Sequence, residues 1–127
     1  MEAYVYTPLS TKDSIRVLSL LPGQPGDALR ARLTEVQLSK QPVFSALSYC
    51  WGEPKFDLIL ECDAKWLKIT KSLAAALNSL RDRTQPLPIW VDQVCIHQQD
   101  ISERNTQVTL MGKIYSNAST VYLWLGE

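Results

Sequence analysis

No apolar run in these 127 residues approaches the roughly 18–20 that cross a bilayer. The opening, "MEAYVYTPLS", has no basic stretch leading into an apolar one, so no secretory signal is read there. Cysteines are few and odd in number: Cys50, Cys62 and Cys95 cannot form a disulfide framework. Their spacing contains no Cys-x-x-Cys knuckle, which argues against a zinc set built from them and His97; no metal is expected. These absences predict a cytoplasmic chain with reduced thiols and no membrane span. Neither charge is in excess, since Lys+Arg and Asp+Glu number 13 each, so nothing advertises a nucleic-acid partner. There is no G-x-G-x-x-G and no P-loop, so dehydrogenase and NTPase chemistry of the usual kinds lack support.

What is present is a folding composition. Hydrophobic residues make up 46% of the chain and charged residues 20%. A chain of this length buries roughly two-thirds of its unfolded surface and suits one domain, here residues 1–127. It stops soon after the apolar run "VYLWLG", where a covering helix is usual, which predicts an N-terminal piece of a longer protein.

"IRVLSLL" (15–21) reads as a strand, closed by the turn-forming "PGQPGD". "LRARLTEVQL" (29–38) alternates with period two, Leu29, Ala31, Leu33 and Glu35 on one face, and should pair antiparallel with the first strand. "VFSALSYCWG" (43–52) is a third strand. "DLILEC" (57–62) and "KWLKIT" (65–70) flank Asp63-Ala64 as a hairpin. "KSLAAALNSLRDR" (71–83) switches to helical spacing, with Thr70 as its cap. "IWVDQVCI" (89–96) reads as a buried strand. "DISERNTQVTLMGKIYSNA" (100–118) reads as a long helix whose packed stripe is Ile101, Val108, Met111, Tyr115 and Ala118, with Gln107 and Lys113 off it. "STVYLWLG" (119–126) is a last strand. Strand–helix–strand units favour parallel pairing. The expectation is an α/β fold: a mixed sheet with parallel central strands, N-terminal antiparallel strands and a β-hairpin insertion. The strands near 44–49, 89–93 and 120–125 should be parallel neighbours.

Three stretches carry a resemblance. "FSALSYCWG" (44–52), "LPIWVDQVCIHQQDISERNTQVTLMGKIYSNASTVYLWLG" (87–126) and "YTPL…IRVLSLLPG" (6–23) resemble the fungal heterokaryon incompatibility (HET) domain. That family's pattern reads approximately "ALSYxWG" followed by "W[IV]DxxCINQxDxxERxxQVxxMxxIYxxAxxVxxWLG". This sequence has His97 where the pattern has Asn, so no role is carried over to that side chain. The resemblance implies an effector module of fungal self/non-self recognition that triggers regulated cell death, acting by self-association or with other recognition proteins. The family is more distantly similar to Toll/interleukin-1 receptor (TIR) domains, which have a flavodoxin-like core. Some TIR domains cleave NAD, so NAD enters as a possible substrate; no cofactor is expected. In NAD-cleaving TIR domains the catalytic glutamate lies on a later helix, which would fall after Glu127 here.

The polar segment between residues 92 and 104 holds the candidate chemistry. Asp92 closes a strand, and ligands of open α/β sheets bind beyond the carboxyl ends of strands. A carboxylate there can stabilise oxocarbenium character as a glycosidic bond breaks, so Asp92 and Glu103 are the catalytic candidates. The plainer readings are a loop carboxylate for Asp92 and a capping box with Asp100 for Glu103. Arg104 can clamp a phosphate bidentately or bridge structurally. Tyr49 and Trp51 can stack on a ring or anchor packing, Gly52 permits a sharp exit, and Gln98 offers an amide; these four and Arg104 are the ligand-binding candidates. Cys95 and His97, two residues apart, can be a nucleophile pair or a small buried hydrophobe beside a loop imidazole.

Overall fold

The computed structural model describes residues 1–126. In chain order the elements are β1 (Ser14–Leu20), β2 (Arg30–Gln37), a 3₁₀ turn at Leu38–Lys40, β3 (Ser45–Tyr49), β4 (Leu58–Cys62), β5 (Lys65–Ile69), α1 (Lys71–Leu80), β6 (Leu87–Trp90), α2 (Asp92–Cys95), α3 (Ile101–Asn117) and β7 (Thr120–Trp124). The seven strands form one sheet in the order β5-β4-β2-β1-β6-β3-β7. The fold is α/β, with a mixed sheet.

The parallel part is β6-β3-β7: Ser45 sits opposite both Ile89 and Thr120, and the β3–β7 register runs on to Tyr49 opposite Trp124. The expected parallel neighbours are therefore neighbours. The antiparallel part is β1 with β2, β1 with β6, and the β4–β5 hairpin, while β4 lies parallel to β2. In space β3 lies between its two parallel partners. After β3 the chain forms the β4–β5 hairpin at the far edge and α1, then adds β6 on one side of β3 and finally β7 on the other.

Burial explains why the centre reads as continuous apolar runs. Ile15, Leu18 and Leu20 of β1, Ala46 of β3, and Ile89 and Trp90 of β6 are all fully buried, so successive residues of these strands face protein on both sides. Leu73, Ala76 and Leu77 of α1 are fully buried as well. The helix begins where expected, since the Thr70 hydroxyl accepts from Leu73 N. The Asp63-Ala64 turn closes the hairpin with φ of 51° and 63°, two left-handed residues as a type I′ turn requires.

Two expectations about local structure are corrected. The strand ends at Trp90, and Asp92–Cys95 is one helical turn rather than strand. Cys95 N donates to Val91 O at 2.9 Å, which winds the chain just past the sheet. A short apolar run fits either geometry, so its periodicity does not decide. The packed face of α3 is also rotated. Ile101 and Val108 are exposed, whereas Gln107 and Ile114 are buried. Met111, Tyr115 and Ala118 do pack against the core. The helix is held at its first two turns by polar side chains with fixed partners: the Gln107 amide donates to Ser14 O at 2.9 Å, and Glu103 meets an arginine of β1. Judged by hydrophobicity alone, those positions look solvent-facing.

Candidate functional site

β3 and β6 end side by side, and the residues after them form the first group. Trp51, just beyond β3, turns its indole N–H onto the Asp92 carboxylate, at 3.1 and 3.2 Å from its two oxygens. Asp92 opens α2, and Gln98 folds back so that its amide donates to Asp92 O at 2.7 Å. Gln93, buried, links the two strand ends to α1: its amide nitrogen donates to the Tyr49 hydroxyl at 2.8 Å and to Thr70 Oγ1 at 3.0 Å, and its oxygen accepts from Thr70 N. Gly52 takes φ of 70°, a left-handed turn that favours glycine and carries the chain sharply away from Trp51. Trp51 is also in edge-on contact with Phe56.

Burial raises the Asp92 carboxyl above its ordinary value, and the Trp51 hydrogen bonds and the Gln93 backbone N–H offset this only in part. Burial likewise raises the Tyr49 phenol, with the charge of Asp92 adding to it. Tyr49 therefore stays a neutral hydroxyl, and Asp92 is a partly desolvated carboxylate with a single side-chain donor among the described residues.

Glu103 belongs to a second group. Arg16, from the middle of β1, meets it in a two-pronged ion pair of 2.7 and 2.8 Å, with the side chains 4% and 10% exposed. The same carboxylate accepts from His97 N at 2.7 Å. Arg16 also donates to Cys95 O and Thr7 O and lies over the Tyr6 ring, which stacks on the His97 imidazole. Burial alone would lower the Arg16 guanidinium; its hydrogen bonds and charge interaction with Glu103 outweigh that and raise it. Half of the capping box is present, since Asp100 accepts from Glu103 N at 3.1 Å. The reciprocal half is absent: Asp100 N donates instead to His97 O, and the Glu103 side chain ties β1 to the α2–α3 loop.

The structure thus brings together Tyr49, Trp51, Asp92 and Gln98 and gives Glu103 to Arg16. Trp51 borders a crevice of about 550 Å³, whereas Glu103 borders a separate groove of about 400 Å³ beside residues 8–12. Arg104 is exposed, and its guanidinium has no hydrogen-bonded or ion-pair partner among the described residues. Cys95 is buried with its sulfur against Val91 N and Ile89 O, and burial pushes its thiol up to about 12, so it is held as a small neutral group. Cys50 is exposed and Cys62 buried in β4; all three cysteines are free. The potential metal donors that do gather are His97, Asp100 and Glu103, within 4.8 Å of one another. Both Glu103 oxygens already face the Arg16 guanidinium, whose charge opposes a cation there.

Sequence reasoning missed Arg16, Gln93, Gln107 and Trp124. Arg16 had a signal, as a lone charge inside the apolar run "IRVLSLL". A charge buried in a strand needs a partner, and only the fold shows which one.

Comparison with known proteins agrees with the pattern of motifs. The sequence profile of the family described as "Heterokaryon incompatibility protein (HET)" matches residues 44–127. "Heterokaryon incompatibility protein 6, OR allele" of Neurospora crassa is 37% identical to this chain over 88% of its length. The chain spans 18% of the length of that relative. No solved structure matches it.

Proposed function

Because the chain belongs to the heterokaryon incompatibility family, we propose that it is an effector domain of fungal self/non-self recognition that triggers regulated cell death in the cytoplasm. The observation that carries this reading is the family match, which spans the β3 end, α2 and α3 together. The domain signals through association with further copies or with other recognition proteins. Supporting that mode, among the described residues β7 is an edge strand without a charge or proline, and its Val121 and Leu123 are 48% and 67% exposed. Among the described residues no helix is long and apolar enough to cross a membrane. The test is expression of the full-length protein in a fungal host, with and without residues 44–126, scored by vital-dye uptake. Death that depends on the segment is expected; equal death without it would overturn the reading.

One observation favours a second, enzymatic reading. Asp92 is a desolvated carboxylate at the end of a parallel strand, where α/β proteins place ligand chemistry. In NAD hydrolysis, water adds across the bond between nicotinamide and ribose, releasing nicotinamide, ADP-ribose and a proton. Asp92 would stabilise the positive charge developing on the ribose. Glu103 would serve only by leaving Arg16, so Asp92 is the stronger candidate. Nicotinamide release by the full-length protein, abolished in Asp92→Asn, is expected on this reading; absence of release from the active, death-inducing protein would exclude it.

A further inference from the structure

Beyond the carboxyl ends of β3 and β7 lies the crevice of about 550 Å³, with an adjoining depression of about 330 Å³ that shares Ser72, Trp124 and Gly126. Its position follows from the topology. The chain departs from β3 towards β6 and later forms β7 on the opposite side, so the β3–β7 boundary is where strand order reverses. Ligands of open α/β sheets bind beyond the carboxyl ends of the strands, favouring points where the order reverses.

The lining is chemically specific. Two indoles contribute to it: Trp51 follows β3, and Trp124 ends β7, paired in register with Tyr49. Both are half-buried, so each keeps ring surface open. Lys71, the first residue of α1, is exposed on the same wall and has no ion-pair partner among the described residues. Lys55 lies 3.4 Å from Glu53, so the positive charge of one lysine sits beside that acid on the exposed rim. Asp57 is the remaining acid of the lining, suited to accept from hydroxyl or amine groups.

We propose that this crevice is a nucleotide-binding site, in which Trp51 and Trp124 take the planar base and Lys71 takes the phosphate. Indoles stack on any base, through area and π-surface rather than through sequence-specific hydrogen bonds. Asp57 is placed to accept from a ribose hydroxyl. The volume lies within the range of small-molecule sites and suits a mononucleotide. The proposal goes beyond the cell-death reading and does not require that any bond be cleaved. Because Trp51 also donates to Asp92, a bound base changes the surroundings of that carboxylate directly.

The experiment is titration of the full-length protein with ADP, adenosine and inorganic phosphate separately, followed by calorimetry and by tryptophan fluorescence. Saturable ADP binding is expected, with adenosine weaker and phosphate alone weaker still. Trp124→Ala should weaken ADP binding about tenfold or more. Lys71→Glu, at an exposed position that folding does not use, should weaken ADP severalfold and leave adenosine unchanged. No ADP binding at millimolar concentration overturns the proposal, as does ADP binding undiminished in Lys71→Glu. Phosphate binding as tightly as ADP overturns it too, since that marks an anion site without base recognition. Failure of the cell-death reading leaves these outcomes untouched, because they are read on purified protein.

Discussion

Glu103→Gln separates a capping role from the one the structure gives this residue. If Glu103 only closed a capping box, glutamine would keep the geometry and cost under about 1 kcal/mol. Instead its carboxylate is 10% exposed, faces a guanidinium 4% exposed, and makes two bonds to it while accepting from His97 N. Glutamine removes the charge and leaves Arg16 buried without its counter-ion. Breaking a buried pair by neutralising one partner costs about 3–5 kcal/mol. The lower end applies here, since the amide oxygen still accepts one bond and Arg16 keeps its bonds to Cys95 O and Thr7 O. A loss of about 3 kcal/mol lowers the Tm of a domain this size by roughly 12 °C. Arg16→Met should cost at least as much, and the double variant Arg16→Met/Glu103→Gln less than the two single changes together, with coupling of about 1–3 kcal/mol. Urea and thermal unfolding of the four proteins measure this. A Glu103→Gln protein within about 0.5 kcal/mol of the parent would refute the ion-pair assignment.

Three further outcomes are expected. Asp92 has a raised folded-state carboxyl, so the folded chain holds its proton to higher pH than the unfolded chain does, and its contribution to stability falls as pH rises through that interval. Asp92→Asn should therefore stabilise the domain at neutral pH, with the gain disappearing in acid below the ordinary carboxylate range; chemical denaturation at several pH values tests this. Val108→Asp, on the exposed side of α3, should change stability by under about 0.5 kcal/mol, whereas Ile114→Asp buries an unpaired charge and should unfold the domain by circular dichroism. Ala64→Gly should stabilise by about 0.5–1 kcal/mol, because relief of the left-handed conformation at φ 63° exceeds the freedom glycine adds to the unfolded chain.

The strands and their parallel core were legible because a buried β-strand is an apolar run between turn residues, and β3, β6 and β7 are such runs. The cap at Thr70 was legible because N-caps are local. The face of α3 was not, because it is set by Gln107 reaching Ser14 O and Glu103 reaching Arg16, contacts 93 and 87 residues apart in sequence. Polar residues with distant partners read as solvent-facing. The candidate site divides in the same way. Trp51 and Asp92 each end a predicted strand, so their meeting followed from topology. Glu103 was placed beside them by its position in the helix, but its direction depended on a buried arginine. Trp124 could enter the site only once β7 was seen in register with β3.

On the enzymatic reading, the end of the parallel strands, with Asp92 and Trp51, would be the working part of the domain. The direct test is full-length protein carrying Asp92→Asn, expressed at wild-type level in a fungal host and scored for cell death by vital-dye uptake. Asparagine keeps the shape of the group and an oxygen for the Trp51 N–H, so folding should be intact or improved. The enzymatic reading predicts that killing is lost; undiminished killing by the folded Asp92→Asn protein would contradict it and leave signalling by association.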